Sequence, residues 1–147
     1  MVLTFEREKS MLFLFLCVFL TLSWPQAAAD HEDSEANALL KWKQSFDNYS
    51  QGLLSTWRGN NPCTWQGIHC DKSNSVSNID LLLFGLKGTL RTLNFSSFPN
   101  LLGLNIYNNS FSGTIPPQIG NMSKVNVLNF SLNSFHGSIP REMWTLR

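Results

Sequence analysis

Residues 98–121 read FPNLLGLNIYNNSFSGTIPPQIGN, and residues 122–145 read MSKVNVLNFSLNSFHGSIPREMWT. At ten positions of the first stretch, adding 24 to the residue number gives a residue of the same chemical type in the second. These positions are Phe98, Leu101, Leu104, Ile106, Asn109, Phe111, Gly113, Ile115, Pro116 and Ile119. A period of roughly 20–50 residues indicates an array of stacked repeats. The two stretches therefore predict consecutive coils of one solenoid.

The residue types within one coil indicate its backbone path. Leu104 and Ile106 alternate with polar residues, which predicts a short, half-buried strand. Asn109 follows, and its amide can satisfy backbone groups that a turn points inward. Gly113 permits a backbone conformation that a side chain would obstruct, and Pro116 suits a strand edge because it cannot donate a ladder hydrogen bond. One period later, the same structural roles fall to Asn133, Gly137 and Pro140.

A degenerate copy, residues 76–97, precedes these two coils at an offset of 25. Its matching positions are Val76, Ile79, Leu81, Leu86, Gly88 and Leu90. Phe84 replaces the asparagine, so we expect the backbone of this turn to find partners elsewhere, in the preceding residues. One coil cannot bury its apolar face alone, but stacked coils form a continuous core. We therefore predict an α/β repeat fold over residues 76–147, a right-handed solenoid with a short parallel β-sheet.

Residues 1–29 predict a secretory signal peptide. Arg7 and Lys9 precede an apolar run of about twelve residues, and the small residues 27–29 follow it. The alternative is a membrane anchor, but the run is shorter than the ~20 apolar residues that a span needs. Cleavage after Ala29 would remove Cys17 and release a mature chain without a membrane-inserting segment.

The mature chain would keep two cysteines, Cys63 and Cys70. An even cysteine count at close spacing in a secreted protein favours a disulfide. The alternative is a metal site completed by His69, but two thiols and one imidazole are too few ligands for a closed tetrahedral zinc site. We predict a disulfide, with no metal and no cofactor.

Residues 30–75 predict an N-terminal cap, because a solenoid needs a module that covers its first open face. Asp33 or Ser34 can cap an amphipathic helix that runs to about Phe46. The polar and small residues expected to end this helix are Asn48, Ser50 and Gly52.

Three tryptophans of this segment, Trp42, Trp57 and Trp65, are expected to form an apolar lid over the first coil. The alternative is a tryptophan platform for carbohydrate. His69, between Ile68 and the second cysteine, is expected to be structural.

The order of these motifs resembles the N-terminal cap of plant leucine-rich-repeat receptor-like kinases, and the sequence 113–116 resembles the plant-specific repeat. The cap residues that carry the resemblance are Ala38, Leu39, Leu40, Trp42, Lys43, Leu54, Trp57, Cys63, Trp65, Gly67, Ile68 and Cys70. The resemblance covers residues 35–147. It implies an N-terminal ectodomain portion with a helical, disulfide-stapled cap, either secreted or on the extracellular side of the plasma membrane.

The resemblance also implies that the outward residues of the strands recognise a ligand. Such residues stack in columns on successive strands, and the candidate columns are Asp80, Asn105, Asn129 and Leu82, Tyr107, Ser131. The expected partners are a peptide or protein ligand and another leucine-rich-repeat ectodomain. Nucleic acid is not expected, because the net charge of +1 provides no basic footprint. The alternative is that these columns are only solvated strand faces.

Five Asn-x-Ser sequons predict a glycoprotein if the chain is secreted. They begin at Asn48, Asn94, Asn108, Asn121 and Asn129. A glycan on the last of these would obstruct a recognition column, so we expect lower occupancy there than at the first or the fourth.

No catalytic residue is predicted. The sequence has no phosphate-binding glycine loop, kinase motif or Gly-x-Ser-x-Gly. A further copy begins at residues 144–146 without a second cap, so we expect a truncated receptor-like-kinase ectodomain acting in signal perception. The alternative is a small secreted repeat protein, such as a decoy, a co-receptor-like protein or an inhibitor of a cell-wall enzyme.

Overall fold

The computed structural model describes residues 34–145. The predicted signal peptide lies outside these residues. Within the described range, no helix is both long and apolar enough to cross a bilayer.

Helix α1, Glu35–Gln44, begins where the sequence places a cap. The Ser34 side chain accepts a hydrogen bond from the backbone N–H of Asn37 at 3.3 Å, which satisfies one of the free donors of the first turn. The inward stripe is buried and comprises Ala36, Ala38, Leu39 and Trp42. The helix ends two residues before the expected Phe46, but that side chain is buried as well.

Helix α2, Asn48–Leu53, contradicts the expectation that Asn48, Ser50 and Gly52 act only as breakers. The Asp47 carboxylate accepts a hydrogen bond from the backbone N–H of Ser50 at 2.8 Å and caps the new helix. The Ser50 hydroxyl is buried and accepts from the backbone N–H of Lys87 at 2.8 Å. Capping and one tertiary hydrogen bond therefore override weak helix propensity.

In the described part of the chain, seven short strands build two sheets. The strands are β1 Ile68–Cys70, β2 Val76–Asp80, β3 Lys87–Thr89, β4 Gly103–Asn105, β5 Ser110–Gly113, β6 Val127–Asn129 and β7 Ser134–Phe135. One sheet has the order β1-β2-β4-β6, and the other has the order β3-β5-β7. Strands of successive coils run parallel in both sheets, as a stacked repeat requires.

Two features of this architecture add to the predicted short parallel sheet, which β2, β4 and β6 form. The first sheet is mixed, because β1 from the cap pairs antiparallel with β2. The second sheet is an addition. It forms because the chain around Phe111 continues in an extended conformation and pairs with the preceding coil before it turns at Gly113. Among the described residues, one 3₁₀ segment lies in the cap, Pro62–Thr64, and three lie in the coils, Phe95–Ser97, Pro117–Asn121 and Arg141–Thr145.

The core is continuous from the cap into the coils. Trp42 of α1 stacks on Phe111 with ring centroids 5.7 Å apart, and Phe111 stacks in turn on Phe135 at 6.4 Å. Phe46 meets both Trp42 and Phe111 edge-on. The cap thus continues the aromatic stack of the repeats.

The cap also pairs with the exposed backbone of the first coil. The backbone N–H of Asp47 donates to the carbonyl of Lys87 at 3.4 Å, and the indole N–H of Trp42 donates to the carbonyl of Thr89 at 2.8 Å. On the other side, the Glu35 carboxylate accepts from the backbone N–H of Val76 at 2.9 Å. These contacts satisfy the edges that the coils would otherwise leave open.

Candidate functional site

The structure brings both predicted columns together on the solvent side of the four-stranded sheet, here called the strand face. Asp80, Asn105 and Asn129 are direct neighbours in the parallel register of β2, β4 and β6. The second column follows the strand ends. Its spacing is fixed by backbone hydrogen bonds from Leu83 N–H to the Tyr107 carbonyl and from Asn108 N–H to the Ser131 carbonyl, both 3.0 Å.

Each side chain of the first column also closes the turn that follows its own strand. Asn105 Oδ1 accepts from the Tyr107 N–H at 3.1 Å, and Asp80 and Asn129 accept in the same way from the N–H two residues on, each at 3.3 Å. Asn105 Nδ2 also donates to Asp80 Oδ1 at 3.0 Å. The column is therefore oriented before any ligand arrives.

A third column was missed by the sequence analysis. Asn78, Gly103 and Val127 are in register on the same face, and His69 of β1 lies opposite Asn78. Asn78, Gly103 and Val127 could have been predicted from strand alternation. Each precedes a residue of the first column by two positions, so both residues lie on the same face of the strand. His69 could not be found that way, because it lies on the cap strand β1, which joins the face through antiparallel pairing with β2.

The strand face contains a depression of about 240 Å³. Its floor includes the backbone of Gly103, and its walls include His69, Asn78, Asp80 and Val127. A Cβ atom built on Gly103 would lie 2.5 Å from Asn78 Nδ2 and 3.8 Å from Val127 Cβ. The missing side chain therefore leaves room for the Asn78 amide to lie over the Gly103 backbone.

The asparagine predicted to satisfy the turn does so. Asn109 Nδ2 lies 2.8 Å from the carbonyl oxygen of Leu81, 3.0 Å from that of Ile106 and 3.2 Å from that of Tyr107. Its Oδ1 accepts from the backbone N–H of Leu86 at 2.8 Å. The turn that contains Phe84 thus finds partners in the following coil as well as in the cap. Asn133 repeats the pattern with Ile106, Phe130, Ser131 and Phe111.

The predicted turn residues serve backbone geometry. Gly113 and Gly137 have φ angles of 85° and 84°, which favour glycine. The carbonyls of Pro116 and Pro140 accept from Ile119 and Met143 at the start of equivalent 3₁₀ segments. These four residues thus shape the turns and the 3₁₀ segments of the described coils.

The tryptophans lie inside the cap. Trp42, Trp57 and Trp65 are 0%, 1% and 3% exposed, so the carbohydrate-platform interpretation is wrong for these rings. The predicted disulfide joins Cys63 and Cys70.

The clearest pKa shifts also lie in the cap rather than on the strand face. Burial lowers the pKa of Lys43, whose ammonium group donates to the carbonyls of Leu54 and Trp57. The backbone N–H of Ser50 lowers the pKa of Asp47, and the Ser73 hydroxyl lowers the pKa of Asp71. Each shift has a structural cause. Among residues 34–145, no three acidic, histidine or cysteine side chains are grouped as metal ligands would be.

The sequons differ in exposure. The exposed ones begin at Asn48, Asn94, Asn108 and Asn121, whereas Asn129 is half-buried on the strand face. Asn48 begins α2, and Asn121 donates to the Ser96 hydroxyl at 3.0 Å on a 3₁₀ segment.

Comparison with known proteins agrees with this geometry. Residues 32–71 match the leucine rich repeat N-terminal domain, and residues 100–122 match the leucine rich repeat. The leucine-rich repeat receptor-like serine/threonine-protein kinase RGI4 of Arabidopsis thaliana is 34% identical over 114 residues, which cover 76% of this chain and 10% of the relative. The MDIS1-interacting receptor like kinase 2 of the same organism is 39% identical over 117 residues, 76% of this chain and 11% of the relative.

A solved structure extends the similarity to the fold. The Arabidopsis receptor kinase HAESA, in complex with the peptide hormone IDA and the co-receptor SERK1, matches with a TM-score of 0.66 and 31% identity. The match covers 79% of this chain and 20% of that chain. The chain spans about a tenth of the length of the two receptor kinases above, and the matched part is leucine-rich repeat without a kinase domain. By its cap, its coils and its relatives, the chain has the leucine-rich-repeat fold and resembles the N-terminal portion of a plant receptor-like-kinase ectodomain.

Proposed function

We propose that the strand face binds an extended peptide or protein segment outside the cell, as part of a cell-surface receptor ectodomain. The observation that carries the proposal is the register of the outward columns, which presents oriented amide, carboxylate and aromatic groups on one open sheet face. The HAESA complex supports it, because that similar ectodomain was solved with a peptide hormone and a co-receptor. A second leucine-rich-repeat ectodomain is the proposed further partner.

The size of the face limits what these coils contribute. Four strands at a spacing of about 4.8 Å span about 14 Å, the length of about four extended residues. We therefore expect these coils to contact a short part of a ligand with modest affinity. The proposed role is recognition without catalysis, and the disulfide is suited to an oxidising extracellular location.

A displayed library of random decapeptides tests the proposal on the purified, glycosylated chain. Binding should be retained by Gln118→Ala, whose exposed side chain lies on the segment Pro117–Asn121 away from the strand face. It should fall at least about tenfold in the double variant Asn105→Ala, Tyr107→Ala, a loss of ~1.4 kcal/mol. Equal binding by both variants would contradict the proposal. So would glycopeptide mass spectrometry showing full occupancy at Asn129, because a glycan there would cover the face.

A further inference from the structure

We propose that the depression floored by Gly103 receives one basic side chain, lysine or arginine, of a bound peptide. The inference rests on the proposed function and specifies which part of a ligand the first coils read. Three observations carry it: the volume of the depression, the charge of the residues around it and the hydrogen bonds of the Asp80 carboxylate.

The volume of the depression suits one side chain of a peptide better than a free small molecule. The depression measures about 240 Å³, less than the ~300–1,000 Å³ typical of sites for drug-sized ligands. It is bounded by Val127, which is 54% exposed, and by the Asn78 amide, which lies over Gly103. A lysine or arginine stem could pack against the valine while its charged end reaches the polar wall.

The charge of the strand face favours a positively charged side chain in the depression. Its columns contain His69, Asn78, Gly103, Val127, Asp80, Asn105, Asn129, Leu82, Tyr107 and Ser131. Asp80 is the one carboxylate among these ten residues, and none of them is lysine or arginine. A lysine or arginine side chain of the peptide would thus meet the opposite charge of Asp80, and no lysine or arginine of the columns would repel it.

The Asp80 carboxylate is oriented but not saturated. Its Oδ1 accepts from the Leu82 N–H and from Asn105 Nδ2, while Oδ2 has no hydrogen bond with the described residues. Asp80 is half-buried and lines the depression, so its second oxygen is the acceptor that we assign to the basic side chain of the peptide. Charge-assisted hydrogen bonds from ammonium or guanidinium groups are the strong kind.

The test is a double-mutant cycle on a peptide selected from the decapeptide library. Selected peptides should share lysine or arginine at one fixed position. Replacing that residue by glutamine should weaken binding about fivefold or more, Asp80→Asn should do the same, and combining the two changes should add little further loss. Asp47→Asn is the matched control, because it removes an equal charge from the cap, where asparagine can also cap α2. It should leave binding unchanged.

The outcomes separate this inference from the function on which it rests. Peptides that bind, and lose binding in the Asn105→Ala, Tyr107→Ala variant, but show no basic preference or give an additive cycle would overturn the basic-residue inference alone. Enrichment of acidic residues that disappears in His69→Gln would overturn it as well, because the same depression would then recognise an anion. Selection of no peptide above the blank matrix would overturn both the proposed function and this inference.

Discussion

Replacing Asn109 by alanine should remove one of the strongest internal links between two coils. The side chain accepts one hydrogen bond, from Leu86 N–H, and its two amide hydrogens are shared among the carbonyls of Leu81, Ile106 and Tyr107. Three bonds at about 1 kcal/mol each give an expected destabilisation of ~3 kcal/mol. The partners in the first coil would be left without their hydrogen bonds, so the loss should not fall much below ~2 kcal/mol.

Urea unfolding followed by tryptophan fluorescence measures this free energy, since Trp42, Trp57 and Trp65 are buried and report on the cap and the first coils. Asn109→Asp is the matched variant, because it keeps the shape and the acceptor but replaces the donors by a second oxygen. It should destabilise at least as much as alanine, since that oxygen would face the carbonyl oxygens of Leu81, Ile106 and Tyr107. An alanine variant within ~1 kcal/mol of the original chain, or an aspartate variant of unchanged stability, would refute the assigned role of the amide.

Three further predictions concern backbone and charge. Gly113→Val should destabilise the chain by more than ~1 kcal/mol in the same urea assay, because the φ angle of this residue is 85°. Gly52→Ala is the control and should be neutral or stabilising, because this glycine lies in open space within α2. Equal effects of the two substitutions would contradict the turn assignment. Leu83→Asn should stabilise by up to ~1 kcal/mol, because this 62% exposed leucine has φ 60° where the next coil has Asn108; a loss of stability would show that its side chain makes a necessary contact. The lowered pKa of Asp47 means that its contribution is present above about pH 4 and is lost as the pH falls through the folded-state pKa, so Asp47→Asn should flatten the acid limb of a plot of Tm against pH.

The coils were predictable from sequence because each position repeats its chemistry. Leu104, Ile106, Asn109 and Gly113 each have one favourable environment in a stacked coil, and a period of 24 makes that environment visible twice. The burial of the three cap tryptophans and the Cys63–Cys70 disulfide also followed from composition and spacing. These features depend on residues that lie close together in the sequence or that recur at a fixed period.

The differences arose where one long-range contact decides the local structure. Helix α2 depends on the hydrogen bond between Ser50 and Lys87, 37 residues apart, which no helix propensity contains. The depression was missed for a related reason. Strand alternation could have placed Asn78, Gly103 and Val127, but His69 reaches the strand face only through antiparallel pairing of β1 with β2. The first candidate column is in register in the structure, and a further column lies beside it.

The asparagine ladder implies an order in which the coils acquire their structure during folding. Asn109 reaches back 28 residues to Leu81, and Asn133 reaches back 27 residues to Ile106. Each new coil thus closes a loop of similar length, at an entropic cost of about 3 kcal/mol plus a constant. A coil can recover this cost only where its predecessor already presents carbonyls. We expect structure to spread from the cap outward as the chain emerges from the ribosome, so that a defect at Asn109 would slow the acquisition of every later coil.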